Sequence, residues 1–317
     1  MILTDYFTEQ NPVQWLRAKQ LGVDHGVIRL PEREDFDLTS AAHWQSYLDR
    51  FQAVGIKPLV VEPLPNSLYD PVKSGLADAQ EKLDKLKEVI ALMGRFHIPV
   101  LCLNFMAHVG WYRSDNAYPL RGGALGTAFR LSEYRPPDGF QISQEALWRN
   151  LTAFLREVVP VAEKHEVRLA FHPDDPPVCA LGGVSRILTS LEAIDKAVNL
   201  VKSDCLGVTL CQGCYAAMGE DVIQAIHHFG KAGKLFFVHF RDVAGRREDF
   251  HETFHDDGPT DMAKVIRAYR DVGYQGPVRV DHVPTLAGEE NTQPGYASLG
   301  RLYALGYLRG LLEGVQG

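Results

Sequence analysis

The sequence predicts an α/β protein, a single TIM-like (β/α)₈ barrel that spans residues 1–317. Short β-rich runs alternate with longer amphipathic stretches along the chain, and there are eight of each. The β-rich runs are almost continuously apolar, which is typical of parallel strands covered on both faces. The length of the chain suits such a barrel, and no Pro- or Gly-rich linker divides it.

Each predicted strand is a short run rich in β-branched and aromatic residues. The predicted strands are 2–7, 25–30, 57–63, 99–105, 167–173, 205–211, 234–240 and 277–283. Apolar residues at helical spacing predict the helices 12–21, 41–54, 76–96, 144–165, 190–202, 219–231, 261–272 and 297–313. Ser143 is the expected N-cap of one helix, and Thr260 or Asp261 that of another.

Charge and composition exclude several classes of protein. The formal net charge is −7 at pH 7, which argues against a nucleic-acid-binding surface. No apolar run reaches the roughly 18 residues of a membrane span, and the N-terminus does not resemble a signal peptide. The 5 cysteines are too few for a disulfide scaffold in a chain of this length. We therefore expect a cytoplasmic enzyme that acts on a small molecule, with no membrane or nucleic-acid partner.

Residues 106–143 form an unusually long connection after the fourth predicted strand. Connections of this length are uncommon in compact domains and are often functional. In a parallel barrel this connection lies over the C-terminal face, where active sites are built. It contains His108, Trp111, Arg113 and Arg121, which favour a lid or a substrate-binding loop. A surface insertion or an oligomer contact is the alternative.

The last four predicted strands each end in a potential metal ligand, namely His172, Cys211, His239 and Asp281. Each residue alone has an ordinary structural explanation, but four on consecutive strand ends predict one metal site. Imidazole, thiolate and carboxylate together suit Mn²⁺, Fe²⁺, Co²⁺, Ni²⁺ or Zn²⁺. Mn²⁺ fits catalysis well, because it accepts further ligands beyond four. Asp174 or Asp175 is expected either to hold the free ring nitrogen of a liganding histidine or to cap the next helical turn.

Several motifs also resemble those of the mannonate dehydratase (UxuA-type) family. They are HPDDPP at 172–177, VVEPLP at 60–65, LNFM at 103–106, TLCQG at 209–213, VHFRD at 238–242 and PGYASLGRL at 294–302. The resemblance implies a xylose-isomerase-like barrel and Mn²⁺ held by the four residues above. It also implies that His282 and Tyr296 move protons while D-mannonate is converted to 2-dehydro-3-deoxy-D-gluconate and water, in hexuronate catabolism. The chain would be a divergent, shortened member.

Dehydration of a sugar acid needs a base for the C2 proton, an acid for the departing C3 hydroxyl and a cation that stabilises the enediolate. His282 and Tyr296 are the predicted acid/base pair, and their order is open. Arg113 and Arg241 are predicted to bind the substrate, with ion pairs to Asp115 and Asp242, respectively, as the alternative.

Asn104 and His255 complete the predicted substrate-binding set. Two other functions remain open: a sugar isomerase or epimerase of the xylose-isomerase-like superfamily, and a non-catalytic paralogue that binds a metal or a sugar acid. A homo-oligomer is also left open. Fe²⁺, Co²⁺ and Ni²⁺ are alternatives to Mn²⁺.

Overall fold

The structure, a computed structural model, describes residues 1–9 and 12–315. Eight parallel strands in the described residues close into a barrel, and their order around the barrel follows the chain. The strands are Ile2–Phe7, His25–Ile28, Lys57–Val61, Val100–Leu103, Arg168–Phe171, Leu206–Cys211, Leu235–Phe240 and Pro277–Val280. The last strand pairs with the first, with Ile2 opposite Pro277, which closes the barrel. The predicted fold class is therefore confirmed.

Helices lie between successive barrel strands and pack their apolar faces on the outside of the barrel. Their bounds are Pro12–Gln20, Ala41–Ala53, Asn66–Ser74, Ala79–Arg95, Gln144–Lys164, Leu191–Val198, Gln212–Met218, Val222–Lys231, Met262–Asp271 and Ser298–Gly314. All eight predicted helices are present, and Asn66–Ser74 and Gln212–Met218 are additional. None of the helices in the described residues is long and apolar enough to cross a membrane.

Side-chain caps fix the starts of several helices. The Ser143 hydroxyl accepts a hydrogen bond from the backbone N–H of Ala146. Asp261, rather than Thr260, caps the next-to-last helix by accepting from the backbone N–H of Lys264. Each cap satisfies a backbone donor that the helix leaves unpaired at its first turn.

The long connection after the fourth barrel strand is not an irregular loop. It contains two antiparallel strands, Asp115–Pro119 and Leu125–Arg130. These strands join Val243–Arg246 and Asp249–Glu252, which follow the seventh barrel strand, in a four-stranded antiparallel sheet. Since both segments follow barrel strands, this sheet lies over the C-terminal end of the barrel.

Candidate metal centre and active site

A cavity of about 740 Å³ opens at the C-terminal end of the barrel. Its wall combines cationic, carboxylate, imidazole and aromatic groups from most of the strand ends. The residues that matter below are Tyr6, Glu62, Cys102, Asn104, Trp111, His172, His239, Arg279, Asp281, His282 and Tyr296. A cavity of this volume has room for a six-carbon sugar acid with bound water.

Strand periodicity explains why ligand-type side chains meet below this cavity. Successive residues of a strand point to opposite faces, so residues two apart share a face. His239 therefore shares the face of Phe237, which packs in the apolar cluster inside the barrel. Cys211 is paired in register with His239, and His239 with Arg279 on the last strand. Neighbouring strands thus bring these side chains to one level of the barrel.

His172, Cys211 and His239 form the first candidate metal cluster, since their ligand atoms all lie within 4.8 Å of one another. Oδ2 of Asp281 lies 3.4 Å from Nδ1 of His239. Nδ1 of His172 donates to the carbonyl oxygen of Pro173 at 2.6 Å, so the lone pair of His172 is on Nε2. The structure therefore brings together the four residues that the sequence predicted as ligands.

The sulfur of Cys211 has the surroundings of a thiolate. Burial raises the pKa of Cys211, but the Cys214 thiol, the Arg241 guanidinium and His172 together hold that pKa well below its usual range. The Arg241 Nε–H donates to the sulfur at 3.2 Å. A thiolate and a neutral imidazole are the forms that bind metals. His239 also carries a buried Nδ1 with no formed hydrogen bond. These residues fit a divalent transition metal.

Glu62, Cys102 and His239 form a second cluster that shares His239 with the first. It fits a cation less well. The Arg279 Nε–H donates to Oε2 of Glu62 at 3.1 Å, so this oxygen already has a partner. Burial raises the pKa of Cys102 well above its usual range, and its thiol donates to Oε1 of Glu62 at 3.2 Å. A protonated thiol is a poor ligand.

Sequence reasoning missed Glu62. The available signal was its position. Glu62 directly follows the third barrel strand, in the VVEPLP motif, and the predicted ligands likewise stand at the ends of barrel strands. Glu62 also lies on the face of Val60, which packs inside the barrel.

Asp175, Glu252 and His282 form a third cluster, in which both carboxylates are neutralised by arginines. Arg113 donates to both oxygens of Asp175, at 2.6 and 3.0 Å. Arg241 donates to Asp175 at 2.7 Å and to Glu252 at 2.7 and 2.8 Å. Both arginines therefore form ion pairs, as in the alternative to substrate binding, but with Asp175 and Glu252 in place of Asp115 and Asp242. The side chain of Arg113 is 0% exposed and that of Arg241 is 1% exposed, so in this structure neither reaches the cavity wall.

Glu252 also holds the ring of His282, because its Oε1 lies 3.0 Å from His282 Nδ1. Burial raises the pKa of Glu252, but Arg241, His282 and Arg113 outweigh it and lower that pKa. An ionised carboxylate only accepts, so Nδ1 carries the hydrogen, and Nε2 of His282 lies on the side of Asp281, 3.8 Å from its Oδ1. The backbone of His282 has φ of 34°, a conformation that non-glycine residues seldom adopt.

Tyr296 lies beside His282 on the cavity wall. The two rings are 5.6 Å apart, and the Tyr296 ring also lies 5.8 Å from that of Tyr6. Trp111, 38% exposed, covers the other side of His282 with its ring centre 5.1 Å away. Burial raises the pKa of Tyr296, so its phenol remains protonated at neutral pH. The structure therefore places both predicted acid/base groups on one wall.

The remaining predicted residues divide between the cavity and the interior. Asn104 lines the cavity, and its Oδ1 accepts from the backbone N–H of Met106 at 3.2 Å. His255 is buried against the ring of Phe240, 5.7 Å away, and does not line the cavity.

The two acids of HPDDPP fill neither of the roles expected for them, since they neither hold a histidine ligand nor cap a helix. The ring nitrogen of His172 is held by the carbonyl of Pro173 instead. Asp174 accepts from the backbone N–H groups of Ile187 and Leu188, and Asp175 pairs with arginines.

The chain matches known proteins over nearly its whole length. A family model described as D-mannonate dehydratase (UxuA) matches residues 1–136 and 130–317. The mannonate dehydratase of Streptococcus pneumoniae (strain 70585) is 31% identical over 343 aligned residues, covering 97% of this chain and 92% of the relative. That of Streptococcus equi subsp. zooepidemicus is 32% identical over 292, covering 83% and 79%.

Solved structures agree with these sequence matches. The crystal structure of mannonate dehydratase from Streptococcus suis serotype 2 superposes with a TM-score of 0.91 at 29% identity, covering 99% of this chain and 95% of that one. A xylose isomerase domain protein from Planctomyces limnophilus has a TM-score of 0.64 at 13% identity, covering 99% and 97%, and shows the fold alone. The chain therefore belongs to the D-mannonate dehydratase (UxuA) family, a family of hydro-lyases.

Proposed function

We propose that this protein is a metal-dependent hydro-lyase that converts D-mannonate to 2-dehydro-3-deoxy-D-gluconate and water. One observation carries the proposal: the ligand atoms of His172, Cys211 and His239 lie within 4.8 Å of one another, and both histidines line the cavity that His282 also lines. The mannonate dehydratases that resemble this chain support the choice of substrate.

His172, Cys211, His239 and Asp281 would hold the metal, which we propose is Mn²⁺, with Fe²⁺, Co²⁺ or Ni²⁺ as alternatives. Imidazole and thiolate donors exclude the hard cations Mg²⁺ and Ca²⁺ as preferred occupants. When bound, the metal supplies Lewis-acid stabilisation of the negative charge that develops on the substrate carboxylate and C2.

The reaction needs two proton transfers. A base removes the C2 proton, the C3–O bond breaks as an acid protonates the departing hydroxyl, and the resulting enol tautomerises to the 2-keto acid. His282 offers Nε2, because Glu252 holds its Nδ1–H. Tyr296 offers a protonated phenol from the same wall of the cavity, with its ring 5.6 Å from that of His282. These two residues are the proposed pair, in either order.

Arg113 and Arg241 have a positioning role in this proposal. Both guanidinium groups contact Glu252 and Asp175, so they hold the carboxylate that orients His282. Asn104 and Arg279 line the cavity and are the proposed contacts for substrate oxygens.

The direct test is incubation of the Mn²⁺-loaded protein with D-mannonate and its hexonate epimers, with detection of a 2-keto acid product. His282→Ala serves as the control, because it keeps all four proposed ligands and should bind Mn²⁺ without turnover. Absence of product from every hexonate, at full Mn²⁺ occupancy, would refute the dehydratase assignment and favour a non-catalytic binding protein.

One observation favours an isomerase or epimerase as a second candidate. Glu62 lies 3.1 Å from His239, and a carboxylate-rich metal site that includes a glutamate is typical of sugar isomerases and epimerases. The same incubation separates the two activities, because an epimerase would return a stereoisomer with no loss of water.

A further inference from the structure

His239 lies between two carboxylates. Its Nε2 is 3.1 Å from Oε1 and 3.2 Å from Oε2 of Glu62, on one side. Its Nδ1 is 3.4 Å from Oδ2 of Asp281, on the side of His172 and Cys211. Glu62 follows the third barrel strand and Asp281 the eighth, so the barrel brings together residues remote in sequence.

The two ring nitrogens of a neutral histidine have different roles, since one donates a hydrogen and the other offers a lone pair. Both oxygens of Glu62 lie within hydrogen-bond distance of Nε2, and carboxylate oxygens accept, so a hydrogen on Nε2 satisfies this contact. The Arg279 Nε–H also lies 3.2 Å from Nε2, and it has Oε2 of Glu62 as its acceptor when Nε2 carries the hydrogen. In that tautomer the lone pair is on Nδ1, the nitrogen beside Asp281.

We propose that Glu62 is a positioning residue that fixes the orientation and tautomer of His239, so that Nδ1 is presented to a metal held by His172, Cys211 and Asp281. The inference rests on the metal site of the proposed function and goes beyond it, because it assigns a role to a residue outside the ligand set. Carboxylates that hold liganding histidines in this way raise metal affinity.

Glu62 is itself held in place from two sides. The Arg279 Nε–H donates to its Oε2 at 3.1 Å, while Nη2 of the same guanidinium lies 2.9 Å from Oδ1 of Asp281. One arginine therefore spans the two carboxylates that flank His239. The Cys102 thiol donates to the other oxygen of Glu62 at 3.2 Å. Both oxygens have fixed partners, so the carboxylate cannot turn away from the imidazole without losing them.

The competing explanation is that Glu62 is itself a ligand, in a site with Cys102 and Nε2 of His239. The two explanations differ in which sulfur binds the metal. A cation held by His172, Cys211 and Asp281 contacts the sulfur of Cys211 only. A cation held by Glu62 contacts the sulfur of Cys102. Removal of each thiol therefore separates them.

The test measures Mn²⁺ affinity on apo-protein by electron paramagnetic resonance of the free ion, with no activity assay. We expect Glu62→Gln to weaken Mn²⁺ binding about 10- to 100-fold. Glu62→Asp keeps the charge that pairs with Arg279 but withdraws the carboxylate from Nε2, so it should also weaken Mn²⁺ binding. This second variant tests the proposal if the glutamine variant does not fold. Cys102→Ser is the matched control, because it changes the other partner of Glu62, and its affinity should equal that of the wild type.

Co²⁺ loading supplies a second readout, since a thiolate ligand gives a charge-transfer absorption band. The band should persist in Glu62→Gln and Cys102→Ser and disappear in Cys211→Ser. Wild-type affinity in both Glu62 variants would overturn the proposal. Loss of the band in Cys102→Ser, with its retention in Cys211→Ser, would overturn it in favour of Glu62 as a ligand. Failure of the proposed dehydratase activity would leave both readouts unaffected, so the two hypotheses fail separately.

Discussion

Arg113 and Arg121 lie in the same connection, and each donates two hydrogen bonds to one carboxylate, but their surroundings differ. The side chain of Arg113 is 0% exposed and pairs with Asp175, which is 2% exposed. The side chain of Arg121 is 44% exposed and pairs with Asp256, which is 24% exposed. Replacement of each arginine by methionine, which keeps much of the aliphatic volume, therefore compares a buried with an exposed ion pair.

Arg113→Met should lower the free energy of unfolding by about 3–5 kcal/mol, because it leaves Asp175 and Glu252 buried with Arg241 as their shared cation. Arg121→Met should cost at most about 1 kcal/mol, since water screens and solvates the exposed carboxylate. Loss of the contact between Arg121 and the Phe254 ring, 4.2 Å away, is part of that smaller cost.

Denaturant unfolding followed by circular dichroism measures both variants, and steady-state kinetics with D-mannonate adds a second test. We expect Arg113→Met to lower kcat, because Glu252 loses a partner that holds it against His282. A variant with wild-type stability and a raised KM would refute this reasoning, since it would mean that Arg113 contacts substrate rather than Glu252.

Three further predictions concern single residues. Glu252→Asp should lower kcat about 10- to 100-fold with Mn²⁺ affinity unchanged, because the shorter side chain keeps its charge but not its contact with His282. A kcat equal to that of the wild type would contradict the role of Glu252 in holding His282. Tyr296→Phe should lower kcat about 100-fold or more by removing a proton donor, and a fully active variant would exclude Tyr296 from the proton transfers. Burial lowers the pKa of His255 to about 4, so an unfolded chain takes up this proton near pH 6.5 while the folded one does not. The neutral form of His255 therefore adds about 3 kcal/mol to the free energy of unfolding above pH 6.5, and this contribution is lost as the pH falls toward 4. His255→Gln should flatten that pH dependence in urea unfolding. Parallel pH profiles for the wild type and the variant would count against this prediction.

The barrel, and the proximity of the residues proposed as ligands, could be predicted from the sequence for a physical reason. Strand alternation is local, and the carboxyl ends of parallel strands meet at one edge, so residues at strand ends converge regardless of loop structure. His172, Cys211 and His239 could be grouped in this way without knowing any contact.

Contacts that depend on long-range packing could not be predicted. The alternative partners considered for Arg113 and Arg241 were the nearest acids in sequence, but both arginines pair with Asp175 and Glu252, which are remote in sequence. For Arg241 the neighbouring Asp242 is out of reach, because adjacent residues of an extended chain point to opposite faces. Asp242 instead accepts from the backbone N–H and the hydroxyl of Thr260. Glu252 reaches His282 only because its strand folds back over the barrel, and no local pattern encodes that contact.

The two missed helices have local causes. Asn66–Ser74 follows Pro65 and contains Pro71, which usually interrupts a helical pattern. Gln212–Met218 has only 7 residues and begins directly after Cys211, so no turn signal separates it from the strand. Both short helices extend strand ends that border the metal cluster.

Anomalous X-ray diffraction at the manganese absorption edge, on crystals of the protein grown or soaked with Mn²⁺, would locate the metal directly. We expect one strong anomalous peak in contact with His172, Cys211, His239 and Asp281, with Nδ1 of His239 facing the ion. A peak beside Glu62 and Cys102, or no peak among these side chains at saturating Mn²⁺, would contradict it.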